Sequence, residues 1–94
     1  MAEESAETVW PFVRQLKKPV MAHGEERTRL ELREPHTGDM LKYGVLDGTL
    51  DGNRTADLIA ELSGINPAAV KSLHPSDFFA MQKEIMGFFT RAAG

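Results

Sequence analysis

Leu30-Glu31-Leu32-Arg33-Glu34-Pro35-His36-Thr37-Gly38-Asp39-Met40 is the stretch whose reading decides the fold. Its first half alternates apolar and charged side chains, the two-residue period of a strand with one buried face. Proline then follows at Pro35, where a helix can begin without losing a bonded N–H. A strand and a helix therefore meet here with almost no linker. A second block, Leu73-His74-Pro75-Ser76-Asp77-Phe78-Phe79, repeats the device ahead of an apolar C-terminal helix.

Working outward, the alternation extends back to Arg27. Thr28, Leu30 and Leu32 are expected on one face, and Arg27, Arg29, Glu31 and Arg33 on the other. The turn before it falls in Met21–Glu26, centred on Gly24. Its hairpin partner is a first strand from about Val9 to Lys17, carrying Trp10, Phe12, Val13 and Leu16, with Pro11 pushing it towards a sheet edge. Lys17-Lys18-Pro19-Val20 continues as extended chain.

After Pro35 a short helix is expected to about Tyr43, with Met40, Leu41 and Tyr43 supplying contacts and Gly44 ending it. A loop from Gly44 to Asn53 leads to a helix capped by Asn53 or Thr55, with Leu58, Ile59 and Leu62 at helical spacing. Gly64 followed by Ile65 matches a Schellman ending, and Asn66-Pro67 restarts the chain as a further short helix. The last helix sets Phe78, Met81, Ile85 and Phe88 along one side, with Phe79, Met86 and Phe89 widening the stripe. So broad an apolar arc is more than one neighbour can cover.

The reading is an α+β fold: an antiparallel β-hairpin (about 9–17 and 26–33) packed against three to four helices (about 35–43, 55–63, 67–73 and 75–91). Residues 1–8, acidic and small, are expected to form a disordered tail, and residues 9–94 one domain.

Composition narrows the function. With no cysteine there is no thiolate nucleophile, no disulfide framework and no cysteine-ligated zinc. A net charge of −3 argues against a nucleic-acid module, and no apolar run is long enough for a signal peptide or a membrane span. His23, His36 and His74 lack the spacing that puts two imidazoles on one helix face. Asp47, Thr49, Asp51, Gly52, Asn53 and Thr55 imitate a calcium loop, but Leu58 stands where the bidentate glutamate belongs. No Gly-rich phosphate loop and no nucleophile elbow is present. The sequence thus offers no catalytic, metal or cofactor residues. The surplus Phe79, Met86 and Phe89 are the candidates for partner binding, since Met- and Phe-rich surfaces repack around other chains.

The order of blocks resembles the small tail assembly chaperones of long-tailed phages, of the Mu-like and P2-like kind. Those carry an L-x-K-P-(I/V) strand, an L-x-L-R-E-P-x-x-G-D-(L/M) junction and an (L/I)-I-A-x-L-(S/T)-G helix. A P-x-x-(V/I)-x-x-L-x-x-x-D-(F/L) link to the last helix follows. Here they read Leu16-Lys17-Lys18-Pro19-Val20, Leu30 to Met40, Leu58-Ile59-Ala60-Glu61-Leu62-Ser63-Gly64, and Pro67 through Asp77-Phe78. His74-Pro75-Ser76-Asp77 departs from the family's usual Asp-initiated helix start, and Trp10-Pro11 is atypical.

The resemblance implies a non-enzymatic protein of the host cytoplasm that binds the tape measure protein and keeps it soluble until tail tube subunits assemble around it. The tail tube protein is a further partner to be expected, self-association is left open, and neither nucleic acid nor membrane is implied. Two other readings stand beside it: a small phage regulatory or DNA-associated protein, and a minor structural tail component. Against the DNA-associated reading, residues 55–63 carry only acids as charged side chains, and the last helix sets Lys83 and Arg91 against Asp77 and Glu84.

Overall fold

A computed structural model describes residues 9–94; the acidic tail expected over residues 1–8 lies outside the described residues. The order of elements is β1 (Phe12–Ala22), β2 (Glu25–Leu32), α1 (Thr37–Lys42), α2 (Gly52–Ser63), α3 (Pro67–Lys71) and α4 (Pro75–Ala93). β1 and β2 form an antiparallel two-stranded sheet, with α2 packed on β2 and both α3 and α4 on β1. This is the α+β hairpin-and-helices fold expected from the sequence.

The hairpin is longer and its turn tighter than expected. β1 runs through Pro19 to Ala22, and only His23 and Gly24 form the turn, both at positive φ (54° and 76°) as a primed two-residue turn requires. His23 Nε2 donates to the Gly64 carbonyl (3.2 Å), tying the turn to the end of α2. Pro19 fits inside the strand because the ladder is interrupted there. Gln15 pairs with Arg29 but Val20 pairs with Arg27, so β1 carries extra residues in a bulge that includes Pro19. Beyond the bulge, Val20 and Ala22 are buried. Thr28, expected on the inward face, is exposed; only Leu30 and Leu32 of β2 are buried. The interruption of the ladder between Gln15 and Val20 accounts for the failure of simple alternation at this end.

At the junction Pro35 is buried but precedes the helix, which starts at Thr37 after the N-cap His36. The motif's acid closes the turn. Asp39 accepts from the His36 N–H (2.7 Å) and from both terminal nitrogens of Arg33 (2.9 and 3.1 Å). The last residue of the Leu-x-Leu-Arg run is thereby clamped to the first turn of α1. Arg33 N–H also donates to the Leu62 carbonyl (3.0 Å), an unpaired acceptor in the last turn of α2. Gly44 ends the helix as expected, with φ +82° and Val45 N–H donating to Met40 O (3.0 Å). A Cβ at Gly44 would collide with Thr49 Oγ1. Leu41, expected to pack inward, is instead exposed, because so short a helix buries only the side of Asp39 and Met40.

The cap of α2 is Asp51, not Asn53 or Thr55: its carboxylate accepts from the Arg54 N–H (2.9 Å), and the helix begins at Gly52. Gly64 at φ +74° and buried Ile65 complete the expected ending. Asn66 occupies the N-cap position of α3 but gives no side-chain bond; its main-chain carbonyl accepts from Ala69 N–H (3.0 Å). α3 ends at Lys71, short of the expected Leu73.

The core joins Leu30 and Leu32 of the sheet to Leu58, Ile59 and Leu62 of α2, Val70 of α3, and Met81, Ile85 and Phe89 of α4. Trp10 meets Phe88 edge-on with ring centroids 5.6 Å apart, closing one end of the core. Asp77 is fully buried in the first turn of α4. Its two oxygens accept from the Lys17 main-chain N–H (2.8 Å) and Arg14 Nε (3.0 Å), so the carboxylate satisfies backbone that the β1 bulge leaves without a ladder partner.

A candidate partner-binding groove

Three helices converge on one apolar groove. The start of α2 contributes Gly52, Asn53 and Ala56, the end of α3 contributes Val70 and Lys71, and Leu73, Pro75, Phe78 and Phe79 come from the link and the first turns of α4. The groove encloses about 260 Å³, enough for one or two large apolar side chains. Its floor is made of core residues: Ala56, Val70 and Leu73 are buried. Its wall is Phe79, 61% exposed, which stacks edge-on against Phe78 at 5.8 Å.

The local sequence explains the exposure of Phe79. His74 is the N-cap of α4, with Nδ1 accepting from Ser76 N–H (3.1 Å), and Asp77 is locked into the sheet. With Asp77, Met81 and Ile85 facing the core at four-residue spacing, Phe79 is turned away from it.

Of the residues singled out in the sequence, Phe79 lies at the groove. Met86, two turns further along the same face of α4, is half-buried. Phe89 is buried, 6% exposed, beside Phe88, and belongs to the core rather than to the free surface. The sequence left Ala56, Val70, Lys71 and Leu73 unmarked as site residues, because they meet only when three separate helices are packed. An Asp51 cap would have been the signal, since it places Gly52 and Asn53 on a helix rather than in a loop.

Two larger depressions are of another character. One, about 420 Å³, runs along Glu26 to Glu31 of β2 beside Ser63; charged side chains along such an edge discourage strand addition. The other, about 560 Å³, lies by Lys42, Tyr43 and Glu61, whose polar groups already bond one another: Tyr43 Oη donates to Glu61 (3.2 Å) and Lys42 Nζ lies 3.5 Å from it. The second is lined by Ala60, Ile65 and Pro67 as well, but neither has an exposed phenylalanine standing over it as Phe79 does.

Asp47 and Asp51, which imitated a calcium loop, have other work. Asp47 accepts from Thr49 Oγ1 (2.7 Å) and N–H (3.1 Å), bonds that hold its carboxyl below the usual value, while Asp51 caps α2. Among the described residues no group of three His, Asp or Glu side chains could hold a metal ion. Among them, too, no helix is long and apolar enough to cross a membrane.

The fold and groove together make a small α+β protein with apolar helix surface exposed at Phe79. Residues 14–90 match the model of a family described as "Phage tail assembly chaperone proteins, E, or 41 or 14". The chain belongs to this family of phage tail assembly chaperones. Neither the search of curated proteins nor that of solved structures returns a match.

Proposed function

We propose that the chain binds the tape measure protein and keeps it soluble during tail morphogenesis, in the host cytoplasm and without catalysing a reaction. The observation that carries this reading is the groove walled by Phe79, an aromatic left 61% exposed over a floor of core residues in a member of a tail assembly chaperone family. A holdase for an apolar helical protein needs such a seat, together with enough charge to stay soluble itself. Helix-in-groove binding suits it, with Phe79 and Met86 as contacts two turns apart on α4.

The test is co-expression with a fragment of a tape measure protein from the same phage genome, followed by size-exclusion chromatography. The two chains are expected to elute together, with more soluble fragment than when it is expressed alone. Separate elution with no gain in solubility would refute the assignment. The reading as a DNA-associated protein draws no support from the helices: α2 carries only Arg54 as a cation, and α4 only Lys83 and Arg91.

A further inference from the structure

The groove is apolar inside but cationic around its mouth, in a chain whose net charge is −3. Lys71 is the one charged side chain in its lining. Lys83 is exposed one helical turn beyond Phe79 on the same face of α4.

The carboxylates on these elements are directed elsewhere. Asp51 caps α2, Asp77 is buried against Arg14 and Lys17, and Asp57 lines the depression by Tyr43. Glu84 lies about 140° round the helix from Phe79. Arg14, Arg33 and Lys42 are paired with acids, whereas Lys71 and Lys83 have no ion-pair partner among the described residues.

We infer that the groove's ligand is an amphipathic helix whose apolar stripe is flanked by carboxylates. This rests on the proposed function and specifies which tape measure segments are held: those with acidic residues beside their apolar side chains. Phe79 and Met86 are about 10 Å apart along the helix axis, so the complementary spacing is an apolar residue at i, i+3 or i+4, and i+7. Acids beside those positions meet Lys71 and Lys83.

Two labelled helical peptides of about 18 residues test this, sharing one leucine stripe but flanked by Glu in one and by Lys in the other. Each is titrated with the full chain and followed by fluorescence anisotropy. The Glu-flanked peptide is expected to bind about fivefold tighter, from two exposed ion pairs, and the gap should close near about 0.5 M salt. Lys71→Glu combined with Lys83→Glu, checked for unchanged thermal unfolding, should reverse the preference. Equal binding of the two peptides, or tighter binding of the Lys-flanked one, overturns the inference. Phe79→Asp separates the two levels. If it abolishes binding of peptides that show no charge preference, the groove reading stands and the charge inference falls; if it leaves peptide binding unchanged, both fall.

Discussion

Asp39 and Asp77 each stitch two elements together, and each can be tested alone. The Asp39 carboxyl is held below its ordinary value, first by the Arg33 guanidinium and then by the His36 N–H, with burial acting in the opposite sense. The folded state therefore binds this proton less readily than the unfolded one. The stability it contributes is complete above the unfolded value of about 4 and is lost as pH falls through the lower folded value. Asp39→Asn should accordingly lower the unfolding temperature at pH 7, with the gap to the unmodified chain narrowing as the pH is brought down towards 3. A gap that stays constant with pH would show that the clamp is not electrostatic. At Asp77, substitution by Ala leaves the Lys17 N–H without its partner. Arg14, about one-third exposed, can turn to water. The expected cost is about 2–3 kcal/mol by urea denaturation, and a loss below about 0.5 kcal/mol would mean that water replaces the carboxylate in the bulge.

On the scale of elements, α4 carries both core and groove, on opposite sides. Ile85, fully buried, should cost about 2–5 kcal/mol when cut to Ala. Phe79→Asp, on the other side, should leave the unfolding midpoint within about 0.5 kcal/mol while abolishing partner binding; loss of folded protein would place Phe79 in the core after all. Much of this was legible in the sequence. The Leu30–Met40 junction, the Gly44 and Gly64 helix ends and the inward Met81 and Ile85 follow from period and from cap chemistry. The strand length was not, because Pro19 reads as a strand end unless the bulge and its Asp77 partner are known, and that pairing spans sixty residues of chain. Nor was Phe89's burial legible. A stripe wider than one neighbour shows that some apolar residues are surplus, and only packing decides which. The groove itself, assembled from α2, α3 and α4, has no local signature beyond Phe79.

For the whole molecule, the hairpin and the core hold α2, α3 and α4 so that their ends form one apolar seat with cations at its rim. Arg33 and Asp39 join β2 to α1 and lie outside the lining of the groove. The measurement that bears most directly on the central claim is the soluble fraction of a tape measure fragment produced alone, with the unmodified chain, and with Phe79→Asp shown by circular dichroism to be folded. The fragment should be soluble only with the unmodified chain. Equal solubility with folded Phe79→Asp would contradict the groove as the holding surface, and no gain with either chain would contradict tape measure binding itself.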